Sequence, residues 1–315
     1  LLRAAEIFGV ITFFTTAKPF TGHSGIIQRN ALKSWTLVHP DVEVILFGDD
    51  DGASEVCAQL GLRHEPHVER NESGVKYLPY MFARAKEIAR HDYLCFVNCD
   101  IVVMEEFAKA FERAKAWGKR FLLVTRRWDM DITAPIDFQM PEWSKQLRQL
   151  AAMNGFQQDE YWIDLFLFAK DSNLDMPALV VGHCYWDNWM IWKALSVGMP
   201  VLDASDFVMV VHQNHGYNPA FGRRKGEATD PLSLRNLQLA GGMTHMRQIN
   251  SATHVITRDG EIRWSMRRYV IASRRVGNPI RQFLYFKIFL RAWHFVLDVT
   301  RPVRSFLGFR SRGAR

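Results

Sequence analysis

Between residues 10 and 211, short apolar runs alternate with segments of helical period, and this alternation limits what the chain can fold into. Apolar runs at 10–16, 42–47, 93–97, 121–125 and 161–168 are too short for buried helices and read as strands. Amphipathic patterns at 26–38, 53–60, 77–90, 105–116, 142–154 and 186–197 read as the helices between them. Such an order builds a parallel or mixed sheet covered by helices on both faces. Further strands are expected at 62–66, 201–203 and 207–211. A hairpin is expected over 253–264, around Arg258-Asp259-Gly260-Glu261. Residues 126–142, and 216–231 with their Gly, Pro, Arg and Lys, read as loops.

Charge divides the chain unevenly. Residues 261–315 hold thirteen Arg or Lys against two acids, Glu261 and Asp298, whereas the rest is mildly acidic. Two domains are expected, 1–264 as the α/β unit and 265–315 as a basic, aromatic-rich helical tail. In residues 283–297, Lys287, Arg291 and His294 fall on one helical face of an otherwise aromatic and aliphatic segment. That pattern suits a helix lying in an anionic membrane surface, through residues 280–315, or one packed on the domain or a second subunit. The breadth of the apolar face argues against nucleic acid. Cys57, Cys95, Cys99 and Cys184 fit no zinc spacing and no disulfide scaffold, so they read as reduced thiols. No secretory signal or uncharged membrane-length run is evident. The expected location is cytoplasmic, peripheral at the inner face of the cell membrane.

The chemistry concentrates at expected strand ends, because a parallel sheet binds ligands at the C-terminal edge of its strands. Asn98-Cys99-Asp100 follows the strand at 93–97. In extended chain Asn98 and Asp100 project the same way and offer oxygen ligands to a divalent cation shared with phosphate. Alternatively, Asp100 simply caps a strand. His212-Gln213-Asn214-His215 closes the last expected strand, and imidazole suits manganese better than magnesium. Arg126-Arg127-Trp128-Asp129-Met130-Asp131 also follows a strand. Trp128, Asp129 and Asp131 there suit acceptor hydroxyls and rings, or the acids pair with Arg126 and Arg127. Asp164, inside an apolar strand, needs a partner or a catalytic role.

In its order of parts, with Asn98-Cys99-Asp100 where an Asp-x-Asp motif would stand, the chain over 8–215 resembles the GT-A fold of nucleotide-diphospho-sugar glycosyltransferases. Asn98 departs from the motif's first Asp. The resemblance implies a GT-A-type mixed, mostly parallel, Rossmann-like sheet flanked by helices. It also implies a divalent cation, manganese ahead of magnesium, on Asp100 with His212, His215 and Asn98. A nucleotide-sugar donor, with a uridine nucleotide as first choice, would meet Thr15, Thr16 and Ala17 after the first strand. Arg29, Asp49, Lys76, Asn98, Cys99 and Asp100 would line the same donor site. Arg29 alternatively stands as a solvated helix charge, and Lys76 as an exposed one.

Asp187, in Trp186-Asp187-Asn188-Trp189, matches the acid that serves inverting members as general base, with Asp164 as the alternative. Trp186 and Trp189 would stack on acceptor rings, or else pack the core behind an N-capping acid. The acceptor would be a glycan or a lipid-linked saccharide, and Gly222-Arg223-Arg224-Lys225-Gly226 either a solvated basic loop or a lid over the diphosphate. Two alternatives stay open: a sugar-nucleotide-binding protein without transferase activity, and a sugar nucleotidyltransferase. The segment 15–25 lacks the dense glycine pattern of the latter.

Overall fold

A computed structural model describes residues 10–215 and 228–266. The elements are β1 (Ile11–Thr16), α1 (Gly22–Thr36), β2 (Glu43–Phe47), α2 (Ala53–Leu60), β3 (Arg63–Glu65), α3 (Leu78–Ile88), β4 (Tyr93–Val97) and β5 (Ile101–Val103). They continue with α4 (Glu106–Ala116), β6 (Leu122–Met130), α5 (Trp143–Asn154), β7 (Phe156–Gln157), β8 (Ile163–Ala169), α6 (Trp186–Ser196), β9 (Val201–Asp203), β10 (Val210–Gln213), α7 (Pro231–Leu239), β11 (His254–Ile256) and β12 (Ile262–Trp264).

The strands run in the order β12-β11-β9-β6-β8-β4-β1-β2-β3. The β3-β2-β1-β4 portion is parallel throughout. β8 is antiparallel to both of its neighbours, β4 and β6. β9 is parallel to β6 and to β11, and β11 forms the expected hairpin with β12. This is the mixed, mostly parallel sheet flanked by helices that the resemblance implies.

The strands read as continuous apolar runs because both faces of the sheet are buried. Phe13 enters one core with Trp35 of α1, Val56 of α2 and Phe107 of α4. Its neighbour Phe14 enters the opposite core with Phe82 of α3 and Met190 of α6. The same alternation divides Leu165 and Leu167 from Phe166 and Phe168 in β8. Each such side chain contributes about 1.5–3 kcal/mol through burial.

One expectation changes, and two elements not expected from the sequence pattern are added. β6 continues to Met130, so Arg126 to Met130 are strand rather than loop, held by pairing with β10 and β7. The segment after Asn98-Cys99-Asp100 is a strand, β5, pairing antiparallel with β10. The segment 231–239 is a helix, α7, whose Asp230 accepts from the backbone N–H groups of Leu232 and Ser233 ahead of Pro231. That N-cap with Pro at the first helical position is a start signal present in the sequence. Among the described residues no helix is long and apolar enough to cross a membrane. The basic segment 280–315 and the Gly222 to Gly226 loop lie outside the described residues.

Candidate functional site

Asn98-Cys99-Asp100 is a tight turn, with Ile101 N–H donating to Asn98 O at 3.1 Å. The turn leads from β4 into β5 and parts the two polar side chains that an extended chain would aim together. The Asn98 amide nitrogen donates to Asp164 Oδ1 on β8. Asp100 points instead toward β10, where His215 Nε2 lies 3.1 Å and His212 Nε2 3.7 Å from its Oδ2. Cys99 turns inward to the core, and burial pushes its thiol well up, so its side chain offers a donor nothing.

Asp100, His212 and His215 each present one ligand atom, all within 4.8 Å of one another. Asp100 Oδ1 is sealed from solvent with no hydrogen-bond partner among the described residues. Burial works against ionisation of Asp100. The His215 hydrogen bond and the charges of His212, His215 and Lys18 outweigh it and hold the carboxyl well below its usual range. An anionic oxygen left unpartnered in a buried place is costly. One carboxylate and two imidazoles fit a divalent cation of borderline softness, and two nitrogen ligands fit magnesium poorly.

The turn is clamped from behind. Gln213, fully buried, donates to Asp100 O from its backbone N–H and its side-chain amide, both at 3.1 Å. That amide also donates to Ile27 O at 2.7 Å, and Asn30 of α1 donates to Gln213 Oε1 at 2.9 Å. The Cα register sets His212 against both Ile101 and Asp129, so one β10 residue faces the start of β5 and β6 together.

A buried chain of charge extends from the triad. His212 Nδ1 lies 3.3 Å from Asp129 Oδ1, an ion-pair contact that falls short of full hydrogen-bond geometry. Arg127, buried one strand period before Asp129, donates from Nε to Asp129 Oδ1 and from Nη1 to Asp164 Oδ2, each at 2.8 Å. Gln158 adds a 2.8 Å bond to Asp129 Oδ2. Burial again opposes ionisation, but His212, Arg127 and Gln158 hold the Asp129 carboxyl down at about 2. A carboxylate behind a ligating imidazole fixes which ring nitrogen faces the metal. Asp129 is therefore committed to His212 and Arg127 rather than to an acceptor. Strand alternation puts Trp128 on the other face of β6 from Asp129. Asp131 accepts from the Asn214 amide at 2.8 Å.

Asp187 lies in the first turn of α6 and keeps some solvent contact, yet protein packs densely around it. Burial, with the Asp164 charge adding, pushes its carboxyl up to about 7 against the opposing bond from Asn188 N–H to Oδ1 at 2.8 Å. The preceding Tyr185 has φ of 84°, a strained value for an aromatic residue. α7 holds this segment: Asn236 donates to Val180 O and Cys184 O at 3.1 and 3.2 Å and accepts from Val180 N–H at 3.0 Å. Ser233 Oγ accepts from Cys184 N–H at 2.9 Å.

The tryptophans beside Asp187 take the alternative place, in the core rather than on an acceptor. Trp186 and Trp189 are each only 4% exposed. Trp186 packs on Phe96 and Phe166 at ring separations of 5.2 and 5.1 Å, so neither residue offers a face to an acceptor. The helix presents this side to the sheet, and apolar burial claims both rings.

At the other end of the edge, Lys76 is buried rather than exposed. Its Nζ donates to Ala17 O at 2.8 Å and to Asp50 Oδ2, tying the ends of β1 and β2 together. Burial draws its pKa down, with Asp50 opposing. Thr16 Oγ1 reinforces the same junction through Phe47 O at 2.8 Å, and Thr15 Oγ1 bonds only locally, to Thr16 O. Asp49 is 72% exposed and paired with Arg70, so Asp50 is the acid turned into this corner. Arg29 is half-buried and bonds Gln59 of α2 at 2.6 Å, at the helix surface rather than in the donor corner. The sequence pattern does not single out Lys18, Asp50 or Gln158, and it offers Arg127 only as an alternative partner of the nearby acids. The i, i+2 spacing of Arg127 and Asp129 is a usable signal once β6 is recognised as continuing.

No protein-family model matches the chain, and no curated protein matches it. Among solved structures it is similar to M. tuberculosis glucosyl-3-phosphoglycerate synthase in complex with Mn2+, UDP and glucosyl-3-phosphoglycerate, at 11% identity and a TM-score of 0.44 over 74% of this chain and 81% of that one. It is also similar to S. aureus TarS 1–349 in complex with UDP-GlcNAc, at 12% identity and a TM-score of 0.48 over 73% of this chain and 65% of that one. Likenesses of this size carry no chemistry from those proteins to this chain, whose function rests on its own residues.

Proposed function

We propose that this chain is a metal-dependent glycosyltransferase that moves a sugar from a nucleotide-diphospho-sugar, a uridine nucleotide first, to a saccharide or lipid-linked acceptor. The observation that carries the reading is the pairing of two sites on one sheet edge. A carboxylate with a sealed, unpartnered oxygen faces two imidazoles, and a separate carboxyl is lifted to about 7. Asp100, His212 and His215 would hold the cation, with manganese ahead of magnesium. When bound, it supplies positive charge to a leaving diphosphate.

The remaining chemistry belongs to the chain. Lys18 is within electrostatic reach of Asp100, on the loop after β1, and would add charge beside the donor phosphates. Thr15, Thr16, Ala17, Asp50 and Lys76 would frame the nucleoside. Asp187, ionised, takes the proton of the acceptor hydroxyl as that oxygen bonds to the anomeric carbon. The bond from that carbon to the diphosphate breaks, its electron pair stays on the phosphate oxygen, and the configuration inverts. Asp164 is engaged by Arg127 and Asn98, which supports Asp187 over Asp164 as the base.

The test is a thermal-shift screen of uridine and other nucleotide sugars with and without manganese, because a ligand that prefers the folded state raises the midpoint. Manganese should raise it for the wild type and not for Asp100→Ala. Absence of any metal-dependent shift with every nucleotide diphosphate would overturn the reading. Metal-stimulated release of nucleoside diphosphate separates a transferase from a mere binder of sugar nucleotides.

The basic segment 265–315 extends the proposal: residues 280–315 would hold the enzyme on an anionic membrane surface, at the inner face of the cell membrane. Removing them should abolish sedimentation with anionic vesicles. Continued co-sedimentation would overturn this part alone.

A further inference from the structure

Trp186 and Trp189, expected to stack on an acceptor, are buried, yet a different aromatic residue stands at the same edge. Trp162 is 41% exposed, immediately before β8, and Arg127 lies over its ring with the guanidinium carbon 4.6 Å from the centroid. Arg127 cannot wander, because Asp129 and Asp164 each hold it at 2.8 Å. A ring packed against a fixed cation is itself held in place.

The segment carrying Trp162 spans the two chemical sites. On the metal side, Gln158 N–H donates to Arg127 O at 2.9 Å, and its side chain reaches Asp129, the residue behind His212. On the Asp187 side, the Asn188 amide donates to Tyr161 O at 3.5 Å, and Ile249 N–H donates to Glu160 O at 3.1 Å. Trp162 is thus tied by neighbours on both sides to the triad and to the proposed base.

We infer that Trp162 is the platform for the acceptor, and that the group it receives is a sugar ring laid on its exposed face. This rests on the proposed glycosyltransferase reading and deepens it. The chemistry beside the ring favours a saccharide over a lipid chain. Tyr161 is 54% exposed, Asp159 is exposed and Glu160 is partly so. A sugar uses an aromatic face for its C–H side and carboxylates for its hydroxyls, whereas a hydrocarbon chain gains nothing from two acids in its path.

The experiment compares wild type, Trp162→Ala and Trp162→Phe on an array of immobilised oligosaccharides, with manganese and UDP present. Manganese binding is measured on the same samples by calorimetry. The wild type should bind a subset of the glycans. Trp162→Ala should bind them about tenfold or more weakly, and Trp162→Phe, which keeps a ring face, should restore most of the affinity. Manganese affinity should stay the same in all three. A wild type that binds manganese but no glycan would overturn the inference while leaving the transferase reading standing. So would Trp162→Ala binding glycans as tightly as the wild type. Failure of the wild type to bind manganese would overturn both.

Discussion

Arg127 and Asp129 stand two residues apart on β6 and join Nε to Oδ1 at 2.8 Å, with a second arm of Arg127 reaching Asp164. The pair links the two halves of the site. Asp129 backs His212, and Asp164 holds Asn98 and adds its charge to the surroundings of Asp187.

Asp129→Asn should keep the shape of this contact while removing the charge that orients His212. Manganese affinity, read by titration calorimetry, should fall by about ten- to a hundredfold, as carboxylates behind ligating histidines usually show. An unchanged affinity would mean that Asp129 serves only to neutralise Arg127.

Arg127→Met removes the one guanidinium between two buried carboxylates. Removing one partner of a buried ion pair costs about 3–5 kcal/mol. A urea titration should show that loss at neutral pH. The loss should shrink in mild acid as the freed carboxylates take up protons.

The Asp187 carboxyl sits at about 7, far above its ordinary 3.8. A carboxyl raised by folding binds its proton more tightly in the native state than in the unfolded chain. Its contribution therefore turns against the fold as pH climbs from about 4, and settles above about 7. Between pH 5 and 8 the thermal midpoint of the wild type should fall relative to that of Asp187→Asn. Transfer should follow the opposite slope, with kcat/KM rising through an apparent pKa near 7 as the base ionises. A rate independent of pH across that range would remove Asp187 from the role of base.

Trp186→Ala should behave as a core deletion, costing about 3–5 kcal/mol. Trp186 fills the space between Phe96 and Phe166. Glycan binding by the protein that remains folded should be unchanged. A selective loss of acceptor affinity without loss of stability would contradict the packing.

Asn236→Ala deletes three hydrogen bonds from α7 to the segment that presents Asp187, at Val180 and Cys184. Stranding those backbone groups costs about 1–3 kcal/mol for each one left unsatisfied. Tyr185, strained at φ of 84°, loses part of what holds it. The expected signature is a fall in kcat with manganese affinity preserved, since α7 bonds none of the three triad residues.

Much of the fold was legible because local pattern and burial agree. Runs such as Phe13-Phe14 and Leu165-Phe166-Leu167-Phe168 are apolar at every position, which only a sheet covered on both faces requires. The strand-end position of Asp100 and His212 followed from the same pattern.

The sequence by itself determined the layered α/β class, the edge where chemistry gathers, and the residue types available for a cation there. Local pattern is enough for these, since period and turn chemistry act over a few residues. Only the tertiary structure decided which residues meet. Asp100 reaches His215 because β5 lies antiparallel to β10, a pairing across more than a hundred residues that no local signal encodes. Asn98 turns away because the motif is a tight turn, with Asp164 waiting on β8. Trp186 and Trp189 go inward while Trp162 stays out, because the sheet needs apolar cover under α6 and none before β8. An aromatic side chain carries the same chemistry in either place, and packing selects which one a ligand can touch.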